Sequence, residues 1–243
     1  MTGNNIKSAI KINNVSKRFG RITAVDNVSL SIEPGEFLTI FGPNGAGKTT
    51  LIGLMSGLVR VTSGEISIGG LDIKEHHDEL RKLIGLISHQ TFTYGQLTAM
   101  ENLLFFAKLY DVKNIKERAG FLLEQVGLTR RANDITRTFS RGMLQRLSIA
   151  RALIHDPRIL FLDEPFTGLD QHAAETLKQS LVGLHNENTT IVMITHNLKL
   201  GLEMGARVAL QVAGKIKFDQ PSGKLDHQSF EEVYFKAVGE AHY

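Results

Sequence analysis

The sequence predicts an α/β fold, in which a mainly parallel sheet is covered by helices and carries an antiparallel β lobe and a helical insert. Three observations lead there. Short apolar runs suited to buried strands, at 37–41, 83–87, 159–162 and 190–194, alternate with segments of helical spacing. A glycine-rich stretch, 42–50, separates the first of these runs from the helix-spaced segment 51–55. Near the start of the chain, apolar and polar residues alternate with the period of two expected of half-buried strands.

The elements follow in order. Ile10 and Ile12, then Val28, Leu30 and Ile32, alternate with polar residues and read as two antiparallel strands. Glu33-Pro-Gly-Glu36 is a turn into the buried strand 37–41. A helix starts near Lys48. Thr62-Ser-Gly-Glu65 reads as a second turn, followed by a short strand at 66–68. A charged helix at 77–82 leads to the apolar run 83–87. From about 91 to 139 the pattern is helical: Leu103, Leu104, Phe106, Ala107 and Leu109 are assigned one apolar face, and Phe121, Leu122, Leu123 and Val126 follow with similar spacing. A helix at 143–155, a strand at 159–162, a helix at 171–185, a strand at 190–194 and a short helix at 198–204 complete the alternation. A hairpin at 207–212 and 215–218 turns across Ala213-Gly214, and an amphipathic stretch surrounds Phe230, Val233 and Tyr234. With no internal repeat or low-complexity linker, residues 1–243 are expected to form a single domain whose helical lobe covers approximately 91–155.

Bulk properties narrow the classes. The 42% hydrophobic and 22% charged content of the 243 residues is that of a globular chain able to bury a large core. A formal charge of +3 says little about partners. Arg137, Arg141, Arg146, Arg151 and Arg158, against Asp156, read as the solvated basic face of a helix, and no nucleic-acid partner is expected. The absence of cysteine excludes disulfides and cysteine-ligated zinc or iron–sulfur sites within the chain. His76-His77 beside Asp78, the one tight histidine cluster, reads as a solvated helix start. Residues 1–7 hold no signal-peptide stretch, and no run approaches the roughly 20 apolar residues of a membrane span. The expected location is the cytoplasm, with any work at a membrane requiring another subunit to hold the chain there.

The chemistry is concentrated in two places. In Gly42, Pro43, Asn44, Gly45, Ala46, Gly47, Lys48, Thr49 and Thr50, the order strand, glycine loop, helix start is that of a phosphate-binding P-loop. Glycine leaves no Cβ in the way, so successive N–H groups can turn toward an anion. Lys48 supplies a mobile cation, Thr49 a hydroxyl for Mg²⁺, and the helix dipole roughly 0.3–1 kcal/mol. The second place is Asp163-Glu164, past the end of the strand 159–162, where ligands of open α/β sheets bind. Asp163 is placed to hold Mg²⁺ beside Thr49, and Glu164 to polarise an attacking water. Gln90 and His196 also end apolar runs. Each reads either as a capping or edge residue, or as a contact: Gln90 to metal or water, His196 to the terminal phosphate. His89 reads only as an edge residue.

Over nearly its whole length the chain resembles the ATP-binding subunits of ABC transporters, which are P-loop NTPases with a RecA-like sheet. The resemblance implies that Gln90 is the Q-loop glutamine, Asp163 and Glu164 the Mg²⁺-binding acid and catalytic glutamate, Thr167-Gly-Leu-Asp170 the D-loop and His196 the switch histidine. Phe19 sits where the family stacks an aromatic on adenine, although a core or edge aromatic fits equally. The signature stands as Phe139-Ser-Arg-Gly-Met143: Ser140 and Gly142 are kept, and Arg141 and Met143 depart from the usual glycine and glutamine. The implied ligands are ATP and Mg²⁺, with Lys48, Gln90, Glu164 and His196 as catalytic residues. In the family two such subunits stack head to tail, which implies a second ATP-binding subunit (a homodimer in the simplest case), integral membrane permease subunits, and a position on the inner face of the cell membrane. Thr91-Phe-Thr-Tyr-Gly-Gln96 sits where a permease would dock, or is an exposed loop with incidental aromatics. Ser88-His-Gln90, Glu101-Asn-Leu103, the signature and Thr195-His-Asn-Leu-Lys-Leu-Gly-Leu-Glu203 are most similar to the haem-exporter ATPases of bacterial cytochrome c maturation. A soluble ABC ATPase of an assembly system, such as iron–sulfur cluster assembly, is the alternative class, since it too lacks membrane spans.

Overall fold

Period-two burial builds the first sheet of the computed structural model, which describes residues 8–88 and 91–239. In β1 (Ile10–Phe19) and β2 (Ile22–Ile32), Ile10, Ile12, Val28, Leu30 and Ile32 are buried and the residues between them are exposed. The strands pair antiparallel, with Ile10 opposite Ile32 and Ile12 opposite Leu30. The second sheet begins with β3 (Phe37–Phe41), buried along its whole length. The first sheet continues with β4 (Ser63–Ile68) and β5 (Leu71–Asp72), in the order β2-β1-β4-β5. Here the expected turn 62–65 is corrected: Ser63, Gly64 and Glu65 already belong to β4. A Cβ on Gly64 would lie 2.5 Å from the Asn14 carbonyl oxygen, so this glycine permits close strand approach.

The second sheet adds β6 (Ile84–Ile87), β7 (Ile159–Asp163), β8 (Thr190–Ile194), β9 (Arg207–Val212) and β10 (Lys215–Pro221). Its order is β10-β9-β3-β8-β7-β6, parallel except for β10. Alternate residues of its central strands feed two cores. Leu38, Ile40, Phe161 and Val192 join the core shared with the first sheet and with α1 (Lys48–Met55). Phe37, Leu160, Leu162, Ile191 and Met193 join the core beneath the helices. Burial on both faces explains why these strands are apolar along most of their length, with Thr39, Asp163 and Thr190 the polar exceptions in β3, β7 and β8.

The remaining helices are α2 (His77–Arg81), α3 (Ala99–Leu109), α4 (Ile115–Gln125), α5 (Arg141–Ala152), α6 (Gln171–Asn186), α7 (Leu198–Met204) and α8 (His227–Gly239). A capping box between Thr98 and Glu101 starts α3. The helix expected at 143–155 begins earlier, because Ser140 Oγ accepts the Met143 N–H at 3.3 Å and caps α5. Two assignments to the apolar face fail: Leu109 is 62% and Phe121 50% exposed. The solvated basic face fails at Arg151, which donates to the Leu86 carbonyl at 2.7 Å and lies between the Phe92 and Phe106 rings. Burial pulls its guanidinium down to about 10.

A partly buried cation joins the two sheets. Arg207 of β9 forks onto the Asp219 carboxylate in β10, and its Nη1 donates to Glu36 Oε1 at 3.1 Å and to the Ser31 carbonyl of β2 at 2.8 Å. These partners, the Asp219 hydrogen bonds first, raise its pKa above the ordinary value.

Candidate functional site

The site forms at the carboxyl ends of β3, β7 and β8. Past Phe41 the chain turns through the glycine loop into α1, and Gly47 takes the helix N-cap position in the left-handed region, φ +98°. A Cβ there would stand 1.9 Å from the Ala24 carbonyl oxygen of β2. Gly214 N–H donates to the Ala46 carbonyl at 3.0 Å, and Asp26 N–H to the Gly214 carbonyl at 2.9 Å. The loop is thus held by both sheets.

Lys48 Nζ donates to the Gly42 and Pro43 carbonyls at 2.8 and 2.9 Å. Burial pushes its pKa below the usual lysine value, and Glu164 and Asp163 partly oppose the shift. Thr49 Oγ1 donates to Asp163 Oδ2 at 2.9 Å. Asp163 ends β7 and is 5% exposed. Glu164 follows it at φ +52°, a left-handed conformation that costs a non-glycine residue about 1–2 kcal/mol. Its N–H is held by the Ile194 carbonyl at 3.0 Å, and its Oε1 lies 2.9 Å from His196 Nδ1. The bend therefore carries the carboxylate from the end of β7 to the histidine after β8. Asn44 to Thr50, Asp163 and Glu164 line a cleft of about 270 Å³.

Lys48, Thr49, Asp163 and Glu164 therefore come together at one cleft, and His196 joins them through Glu164. Phe19, Gly42, Pro43, Ser140, Gly142 and Asp170 do not line this cleft, although the Gly42 and Pro43 carbonyls hold Lys48. Phe19 ends β1, half-exposed beneath Lys17 Nζ at 4.8 Å. Ser140 and Gly142 occupy the tip of α5, and Asp170 caps α6 by accepting the Ala173 N–H at 2.8 Å. Gln90 and His89 lie outside the described residues. Three contacts were not expected from sequence. The Arg141 side chain packs on Gly168, with Nε 3.2 Å from where a Cβ would stand. Gln145 Nε2 donates to the Pro165 carbonyl at 3.1 Å, joining α5 to the segment after Glu164. Ala24 closes the loop with its backbone, a role that carries no residue signature.

Chemically, the cleft suits a polyphosphate, with backbone N–H groups at a helix start and an ammonium on a short tether. The Thr49 hydroxyl and Asp163 carboxylate are hard oxygen donors of the kind Mg²⁺ takes. Among the described residues no group of three or more His, Asp or Glu side chains is gathered to hold a metal. An ion here would complete its shell with phosphate oxygens and water.

Comparison with known proteins gives a consistent pattern. The family model described as ABC transporter matches residues 25–167. The linearmycin resistance ATP-binding protein LnrL of Bacillus subtilis (strain 168) is 39% identical over 196 residues, 78% of this chain and 62% of that protein. The chain thus spans less than two thirds of that relative's length. The uncharacterized ABC transporter ATP-binding protein YhcH of the same organism is 36% identical over 235 residues, 96% of this chain and 76% of the relative. Among solved structures, the dimeric post-hydrolysis state of the ATP-binding cassette MJ0796 bound to ADP and Pi is similar with a TM-score of 0.82. It is 30% identical, covering 88% of this chain and 98% of that one.

Proposed function

The chain belongs to the ABC transporter family as an ATP-hydrolysing, ATP-binding unit, and from that premise we propose that two copies power a membrane exporter by closing on ATP. One observation supports the assignment of roles: Lys48, the Thr49–Asp163 pair and Glu164 line a single cleft, and Glu164 reaches His196 at its margin. Lys48 would leave its loop carbonyls for the β- and γ-phosphates. Thr49 and Asp163 would hold Mg²⁺, which when bound neutralises charge on the phosphate oxygens. Glu164 would accept the proton of the attacking water, and His196, 2.9 Å away, would orient carboxylate and γ-phosphate together.

Ser140 and Gly142, at the tip of α5 and away from this cleft, would complete it from the second copy. Moving such a pair from mostly open to mostly closed needs roughly 5.5 kcal/mol of preference for the closed state. Loss of the γ-phosphate would remove that preference and reopen the pair. Among the described residues no helix is long and apolar enough to cross a membrane. In this reading a permease subunit holds the chain at the inner face of the cell membrane. A cleft of about 470 Å³ lined by Leu58, Phe92, Phe106, Leu109, Tyr110 and Arg151 supports this docking, and it explains the exposure of Leu109.

For the cargo, the signature and the segments flanking Gln90 and His196 support haem export in cytochrome c maturation. The linearmycin resistance relative, at 39% identity, favours a second reading as a resistance exporter. The membrane subunit that co-purifies with the chain would separate the two. The ATPase assignment is tested by phosphate release from Mg-ATP. Glu164→Gln is expected to slow turnover about 10²–10⁴-fold, to bind ATP as the wild type does and to accumulate as an ATP-dependent dimer. Normal turnover by this variant would overturn the base assignment, and a monomer at saturating ATP would overturn the paired site.

A further inference from the structure

Directly beneath the phosphate loop lies a side chain that the chemistry above leaves unused. Gln211 of β9 is 0% exposed, and neither its Nε2 nor its Oε1 has a hydrogen-bond partner. Two donors and two lone pairs are therefore unmet. Strand register fixes its place. Leu210 pairs with Phe41, the last residue of β3, so Gln211 is the first residue of β9 to run alongside the loop. Contact is close at both ends of the loop. A Cβ on Gly42 would stand 2.1 Å from the Gln211 carbonyl oxygen, and one on Gly47 would stand 2.9 Å from Gln211 Nε2.

Leucine or methionine would fill the same space with no polar cost, as leucine, valine and alanine do elsewhere in β9. A buried amide with every bond unmade is rare and destabilising. Such a group at a moving part suits a state other than the one in which it stands idle. The moving part is identifiable. Lys48 Nζ holds the Gly42 and Pro43 carbonyls, and an anion in the cleft would compete for that ammonium and free both oxygens. The backbone between Gly42 and Gly47 could then re-seat against the nearest unmet amide.

We propose that Gln211 is a positioning residue for the phosphate loop, whose amide bonds the loop backbone once polyphosphate has drawn Lys48 away. The inference rests on the reading of this cleft as a nucleotide site and adds a route by which β9 senses its occupancy.

The experiment uses the full chain with Gln211→Leu and Gln211→Met. Each is measured for melting temperature without nucleotide and for Kd toward Mg-ADP and Mg-ATP by calorimetric titration. Both variants are expected to melt at or above the wild-type temperature when nucleotide-free, because the unmet amide is gone. Their Kd is expected to rise about three- to tenfold, the range set by one lost hydrogen bond. A glutamine that only packs would show the reverse, a lowered melting temperature with unchanged Kd. An idle one would leave Kd unchanged while the melting temperature stayed level or rose. Either result overturns the proposal. Wild type and Lys48→Ala are titrated alongside. If wild type itself binds no Mg-nucleotide, the nucleotide reading and this inference fall together. If wild type binds and both Gln211 variants match it, this inference alone falls.

Discussion

Adding one methyl group to the phosphate loop gives a graded test of how it is held. In Gly47→Ala the new Cβ would stand 1.9 Å from the Ala24 carbonyl oxygen and 2.9 Å from Gln211 Nε2. Real Cβ contacts below 3.0 Å essentially do not occur, so loop and strand must separate by at least about 1 Å. β2 is poorly placed to yield, because Val25 beside Ala24 is fully buried and Asp26 N–H is bonded to Gly214. The loop therefore moves, and with it the start of α1. A misplacement of about 1 Å costs on the order of 10²-fold in turnover. The left-handed backbone at φ +98° adds about 1–2 kcal/mol of strain. Gly45→Ala is the matched control. Its φ is also left-handed, at +79°, but nothing lies within 4 Å of the added carbon. It incurs only the strain, which at about 2–4 °C per kcal/mol lowers the melting temperature by roughly 2–8 °C. Both variants are assayed for phosphate release and Kd for Mg-ATP, with melting temperature as the measure of folding. Gly47→Ala within threefold of wild type, or Gly45→Ala as damaging as Gly47→Ala, would refute the close-approach account.

Two further outcomes follow. His155 stacks on Tyr110 and contacts the Ile84 carbonyl at 3.0 Å, and burial holds its pKa below the ordinary 6.5. Below pH 6.5 the unfolded chain takes up this proton before the folded one does. Stability is therefore full above that value and declines as pH falls toward the depressed folded pKa. His155→Gln should flatten this decline, read as melting temperature from about pH 7.5 to 5, and equal slopes in the two proteins would contradict it. At the proposed docking cleft, the double substitution Leu58→Glu with Leu109→Glu should leave phosphate release by the isolated chain unchanged. It should also abolish co-purification with a membrane subunit, and retained co-purification would exclude this face as the docking surface.

Features that depend on neighbours in sequence were legible. The alternation at Ile10, Ile12, Val28, Leu30 and Ile32 announced a strand pair, and the apolar runs announced strands buried on both faces. The phosphate loop and Asp163-Glu164 were legible because their chemistry demands particular residue types at fixed offsets. Features that depend on distant backbone were not. Nothing in the sequence says that Ala24 would close on Gly47, or that Gln211 would lie under the loop without a partner. Helical spacing put Leu109 and Phe121 on buried faces, but spacing cannot say how far a neighbouring element extends. Charge counting put Arg151 in water. The fold instead surrounds it with aromatic rings and gives it a carbonyl, since a long aliphatic stem and a planar cation tolerate such a place.

Arg207 has a mechanical meaning. By gripping β10, the turn before β3 and β2 at once, it acts as a weld along one flank of the molecule. A lever needs such an anchored frame. Any displacement at the cleft would meet most resistance on this welded side. Among the described residues the opposite flank has no such weld: there Gln145 of α5 holds the chain beyond Glu164 by a single hydrogen bond to the Pro165 carbonyl.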